Sequence, residues 1–235
     1  MARSPTERID IGLFQDDFKN INQEFLQSVV SILRFSLDAK REYLLMTKQA
    51  TYAYGEEICS WLSLKHDVSK PKRISLLDDV KIVQGDYGFA FVAILTDDGR
   101  VYLSSNDSNW KTNNTFRLIN AGNDRFQMIA GGLWHLLLLR QDGHVFAMGH
   151  NIHGKKSSYE SMHQIQKNIK YIACGFDHTL SINNEGKVYS WGFNGNGQLG
   201  LGDEKDRKTP CLVAFPNVDS IDIRIKDIVA GTFFS

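Results

Sequence analysis

Gly195, Gly197 and Gly200 stand in the order G-x-G-x-x-G within WGFNGNGQLGLG, Trp191 to Gly202. That spacing occurs in dinucleotide-binding turns, where glycines let the backbone approach a pyrophosphate at a helix N-terminus. The chemistry needs a strand before the loop and an amphipathic helix opening inside it. KVYSW supplies the strand. After Gly200 the chain reads LGDEKDRKTP, a glycine, a charge run and Pro210 with no apolar stripe. Asp219 or Asp222 stands near the place of a ribose-binding acid, which chance often provides. The spacing therefore predicts a structural turn and no bound nucleotide.

The other reactive side chains give no catalytic set. His144, His150 and His153 are the nearest approach to a metal trio, but no thiol or carboxylate stands near them at ligand spacing. Cys174 sits in an apolar run and nothing pairs it with a base, so it is not expected to act as a nucleophile. His135 and His178 each follow a glycine, Gly132 and Gly175, by three residues. A histidine that recurs on an apolar strand is expected to be a hydrogen-bonded structural residue. The reading is of a non-enzyme with no cofactor and no metal.

The elements that carry these residues repeat. QDGHVFAMG (Gln141 to Gly149) aligns with NEGKVYSWG (Asn184 to Gly192), and weaker copies are DDGRVYLSS from Asp97 and KQATYAYG from Lys48. The shared aromatic falls at Tyr52, Tyr102, Phe146 and Tyr189, in steps of 50, 44 and 43 residues. Upstream, MIAGGLWHLLLL matches YIACGFDHTLSI, and KIVQGDYGFAFVAIL and DIVAGTFFS are further copies with Gly88 and Phe234 at the histidine position. Each unit reads as short strands rich in β-branched and aromatic residues. Asp98-Gly99, Asp142-Gly143 and Glu185-Gly186 mark hairpins, read as two-residue turns in which both residues take φ > 0. A period of this length with several strands per unit predicts propeller blades. The fold class is all-β: a partial propeller of about four blades over residues 35–235, with one N-terminal helix. Residues 1–34 form a polar tail and an amphipathic helix at about Asn22 to Arg34. Ile21, Phe25, Val29 and Ile32-Leu33 dock that helix on the first blade, and Asn20 with Gln23 caps it. Tyr52, Tyr102, Phe146, Tyr189 and Trp191 are expected to pack blade against blade.

The fourth unit resembles a repeat of the regulator of chromosome condensation family. Trp191, Gly192, Asn194, Gly197, Gln198, Leu199, Gly200 and Gly202 match its Trp-Gly, Asn, Gly-Gln-Leu-Gly-x-Gly pattern. With Gly132, His135, Gly143, Gly149, Gly175, His178 and Gly186 they form the structural repeat signature. GHNIHGKK keeps only Asn151 and Gly154 of the pattern. The resemblance implies a seven-bladed propeller, so a chain with room for about four units is expected to be a fragment that self-associates through an open edge. NINQEFLQSVV before an apolar strand and TYAYG is similar to proteins that join this propeller to BTB domains. That likeness implies the partner-facing part of a cullin ubiquitin ligase adaptor. The founding member implies the alternative, guanine-nucleotide exchange on a Ran-like small GTPase.

Composition narrows the partners. Lys plus Arg number 27 and Asp plus Glu number 27. Without a basic excess, nucleic acid is not the expected partner. Lys155-Lys156 and Lys70, Lys72, Arg73 read as solvated loop charge. MARSPTERID is too polar for a signal peptide, and the apolar runs Phe89 to Leu95 and Leu133 to Leu139 fall far short of the roughly 20 residues of a membrane span. Cys59, Cys174 and Cys211 are far apart and read as free thiols of a cytoplasmic or nuclear protein. The expected partners are proteins, with function in loops. Trp110, in a polar loop with Asn106, Asp107, Asn109 and Asn113, is either an interface anchor or folded back on its blade.

Overall fold

The short apolar runs pair with their sequence neighbours, as expected where turns of a few residues separate them. The computed structural model describes residues 11–37, 39–119, 123–150, 158–215 and 225–231. Its strands form four four-stranded antiparallel sheets, each in sequence order. The first holds β1 (Ser31–Leu37), β2 (Lys40–Met46), β3 (Thr51–Tyr54) and β4 (Lys72–Arg73). The second holds β5 (Ile82–Tyr87), β6 (Phe91–Thr96), β7 (Val101–Ser105) and β8 (Arg117–Leu118). The third holds β9 (Phe126–Gly131), β10 (His135–Arg140), β11 (Val145–Gly149) and β12 (Ser158–Gln166). The fourth holds β13 (Ile169–Cys174), β14 (His178–Asn183), β15 (Val188–Gly192) and β16 (Arg207–Leu212).

These are propeller blades, and the core lies between them. Leu33, Leu44, Val92, Ile94 and Phe116 join the first blade to the second. Phe91, Leu103, Phe126, Leu138 and Met148 join the second to the third. Leu137, Val145, Ile172 and Trp191 join the third to the fourth. Every residue of β6 is buried, because a blade covers each face of it, and so FVAIL, Phe91 to Leu95, is apolar without alternation. Tyr102, Phe146, Tyr189 and Trp191 lie in or against these three clusters, whereas Tyr52, expected with them, packs instead on Phe25 of the N-terminal segment.

The first strands of successive blades are also stitched by polar groups. The Gln84 amide donates to Ile129 O at 2.8 Å and accepts from Ile129 N at 2.9 Å. Asp86 Oδ2 accepts from Gly131 N at 2.9 Å. Residues 225–231 come next to β13: a Cβ added at Gly175 would lie 2.5 Å from Gly231 O, as one at Gly88 would from Gly132 O.

Two sequence expectations need correction. The helix is short: α1 (Gln15–Phe18) and α2 (Gln23–Ser28) precede a strand that already begins at Ser31. The cap of α2 is Asn22, whose side chain accepts from Phe25 N at 3.1 Å. Val29 turns extended, with ψ 125, and Val30 N donates to Met46 O at 2.8 Å. Ile32 meets a helical spacing, but Leu33, Phe35 and Leu37 meet a period of two, and pairing with β2 decides for the strand. The stripe still converges on the first blade: Ile21, Phe25, Val29 and Ile32 all pack with Tyr43, Leu45 and Tyr54.

The hairpins are three-residue loops. Gly99 N donates to Thr96 O while Thr96 N donates to Arg100 O, and the same pair of bonds recurs at Gly143 and at Gly186. Within these loops only the glycines have positive φ, +80, +83 and +80. That pattern is a turn closed by one left-handed residue, so glycine is needed at that position alone.

A short helix that was not read from the sequence, α3 (Glu56–Trp61), fills the span between β3 and β4. Buried Glu42, reaching over from β2, accepts from Ile58 N at 3.1 Å and supplies its cap.

Candidate functional site

The loop after β15 answers the question raised by its glycines. Asn194 is fully buried, and its amide bonds to Leu199 N, Asp203 O and Lys205 O at 2.9, 2.7 and 3.1 Å. Gly197 N donates to Asn194 O, Gly200 N to Gly197 O and Asn196 N to Gln198 Oε1. A phosphate cradle needs N–H groups aimed outward. Here those of Asn196, Gly197, Leu199 and Gly200 are spent inside the loop, and no helix opens after it among the described residues. Calorimetric titration with NAD, ATP or GTP is expected to show no micromolar binding; a micromolar isotherm would overturn this reading.

The Gly-x-x-His units have a steric reason. The rings of His135 and His178 lie directly against Gly132 and Gly175, leaving no room for a Cβ at either glycine. Gly132 N donates to His135 O and Gly175 N to His178 O, which closes each turn. His135 Nε2 lies 3.4 Å from Thr179 Oγ1 across the third and fourth blades. Cys174 Sγ lies 3.5 Å from Ala130 O, and burial holds its thiol well above the ordinary range, with the nearby Asp86 charge adding to the effect. It is protonated at neutral pH and poorly suited to nucleophilic attack.

The repeat signature divides between two faces. Gly143 and Gly186 sit in hairpins at one end of the blades, whereas Gly132, His135, Gly149, Gly175, His178 and Gly192 gather at the other. His144 and His150 flank opposite ends of β11, roughly 20 Å apart at strand rise, so they cannot share a metal. His153, Asn151 and Gly154 lie outside the described residues, as do Lys155-Lys156, Asp219, Asp222 and Phe234. Among the described residues no group of three His, Cys, Asp or Glu could hold a metal ion. Trp110 is no exposed anchor. It is fully buried, 5.0 Å from the Phe91 ring and 4.9 Å from the Tyr159 ring. The folded-back alternative holds because the start of β12 covers the loop that carries it.

At the Gly-x-x-His end, the loops of the second, third and fourth blades enclose a cleft of about 730 Å³. Trp134, Trp191 and Phe193 line it, with Asp107, Asp177 and Asp206. Backbone bonds fix these loops to one another. Phe89 N donates to Leu133 O, Leu133 N to Phe176 O and Phe193 N to Asp177 O, at 2.9, 2.8 and 2.7 Å. Beside the cleft the aromatics stand in water: Phe89 is 52% exposed, Phe176 40% and Phe193 43%. Exposed aromatics on a rigid rim are the usual anchors of protein recognition. None of these aromatics was singled out from the sequence. The structure corrects the alignment of the second blade: Gly88 N donates to Phe91 O as Gly132 N does to His135 O, so Gly88 holds the glycine place and Phe91 the histidine place. The available signal was the residue after that glycine, which is Phe89, Leu133 and Phe176 in successive blades.

Known proteins share the repeat and the fold. Residues 185–235 match the model of the regulator of chromosome condensation (RCC1) repeat, and residues 169–198 match a second model of that repeat. The human probable E3 ubiquitin-protein ligase HERC3 is 32% identical over 95 residues, 36% of this chain and 9% of that protein. The crystal structure of human WBSCR16 superposes with a TM-score of 0.68 at 21% identity, over 87% of this chain and 56% of that one. Prp20p from Saccharomyces cerevisiae superposes with a TM-score of 0.63 at 21% identity, over 80% of this chain and 51% of that one. The fold is an RCC1-like β-propeller. RCC1 repeats account for the fourth blade and the segment after it, and the chain spans about half the length of these solved structures.

Proposed function

We propose that the chain is a non-catalytic protein-interaction scaffold that receives its partner on the Gly-x-x-His face. The observation that carries this reading is the row of exposed aromatics Phe89, Phe176 and Phe193 on loops locked together by backbone hydrogen bonds. Rigid loops lose little entropy on binding, so their apolar area contributes to affinity. The finer reading is the partner-facing part of a BTB-type ubiquitin ligase adaptor, and the likeness to a probable ubiquitin ligase supports that setting. The second reading, nucleotide exchange on a Ran-like GTPase, is favoured by the fold likeness to Prp20p, whose structure was reported with its binding to Gsp1p and histones.

Two measurements decide. A photo-cross-linker at Phe176 is expected to form a defined protein adduct in cells, whereas one at Asp142 on the hairpin end is not. Adducts at Asp142 alone, or at neither place, would refute the face. Release of labelled GDP from a Ran-like GTPase is expected to be unchanged by the purified chain; acceleration would install the second reading instead.

A further inference from the structure

Resting on that scaffold reading, we infer that the cleft at the Gly-x-x-His end of the second, third and fourth blades receives an arginine or lysine side chain of the protein partner. Three carboxylates border it, and they are not used up. Asp177 is exposed, and its carboxylate takes no hydrogen bond from the described residues. Asp206 accepts from Asn194 N through Oδ1 at 2.8 Å, and Asp107 accepts from Asn109 through its own Oδ1 at 2.9 Å. Each keeps its second oxygen uncommitted among the described residues. The cations on the rim are Arg207 and Lys208, with His135 and His150 as the titratable neighbours. Arg207 is already engaged, by Asp203 at 2.7 Å and by Lys205 O at 2.6 Å.

The walls complete the chemistry. An incoming cation meets a lining that includes Trp134, Trp191 and Phe193, and aromatic rings attract positive charge through the ring quadrupole. An anionic group would meet carboxylates instead, and a purely apolar one would leave them desolvated and unpaired. The site is also preorganised. His150 N donates to Trp134 O at 2.8 Å and Phe193 N to Asp177 O at 2.7 Å, so the loops that carry the aromatics and Asp177 are held without a ligand. A long cationic side chain on a partner's surface suits an open cleft lined by aromatic and acidic side chains.

The test uses the whole chain, immobilised, and a displayed library of random twelve-residue peptides. Selected peptides are expected to carry Arg or Lys. Their affinity should fall roughly ten-fold for Asp177→Asn and for Phe193→Ala, and should weaken as salt rises from about 0.05 to 0.5 M. Both side chains are exposed, so unchanged thermal unfolding of the variants would show that the loss belongs to the cleft. Peptides without a cation, peptides insensitive to both variants, or no selected peptide at all would overturn the inference. The scaffold reading is judged separately: adducts at Phe176 with peptides indifferent to Asp177→Asn would keep the face and reject the cationic pocket.

Discussion

Gly192→Val is expected to lower the unfolding free energy by about 3–5 kcal/mol, and Gly200→Val by about 1–3 kcal/mol. Both glycines have positive φ, +107 and +65, where a β-branched side chain is strained. Their surroundings differ. A Cβ at Gly192 would collide with the backbone oxygen of Asp177 and would lie 2.8 Å from His178 Cα. Those atoms belong to the turn into β14 and cannot yield without breaking the pairing of His178 with Gly192. At Gly200 the nearest atom to an added Cβ is Val213 Cγ1 at 3.6 Å, an ordinary contact. The backbone penalty is therefore shared, and the steric penalty belongs to Gly192 alone. Urea unfolding of the two variants checks the ranking. Equal losses would show that φ dominates and that the turn yields more than its packing indicates. Retained stability with lost partner binding at Gly192 would instead make the end of β15 part of the recognition surface.

How much of the fold was legible in the sequence depends on how local each cause is. The blade period was legible because the glycines answer to local geometry: Gly143 and Gly186 close hairpins at φ +83 and +80, and Gly175 yields its space to the His178 ring. The extent of the N-terminal helix was not, because the stretch from Ile21 to Leu37 satisfies a helical and an alternating period at once. Only pairing with β2, which lies outside that stretch, settles it. The hairpin glycines were found while the turn type was misread, since Asp-Gly serves both a two-residue turn and a three-residue loop closed by glycine. The helix α3 was hidden because its cap, Glu42, comes from another strand instead of from the residue before it. The cleft was invisible for a related reason. Trp134, Asp177 and Phe193 come from different turns, and only the stacking of blades brings them together.

Trp110→Ala is expected to cost about 3–5 kcal/mol, the range for removing a large buried aromatic. The loop around it reads as surface: Asn106, Asp107, Asn109 and Asn113 are polar. Asp107 caps the short turn Ser108–Trp110 by accepting from Asn109 N, and Lys111 comes next at φ +49. This geometry swings the indole inward, onto Phe91 of its own blade and the edge of Tyr159 from the next. The side chain thus closes the seam between the second and third blades, in the same cluster as Phe126, Leu138 and Met148. Its Nε1 is buried without a hydrogen bond among the described residues, so the indole contributes through area and shape. Trp110→Phe should therefore be milder, about 1–2 kcal/mol, because it forfeits packing but no hydrogen bond. Thermal or urea unfolding of both variants measures the difference. An interface anchor would behave in the opposite way, with stability untouched and partner affinity lost, and that outcome would place Trp110 on the surface after all.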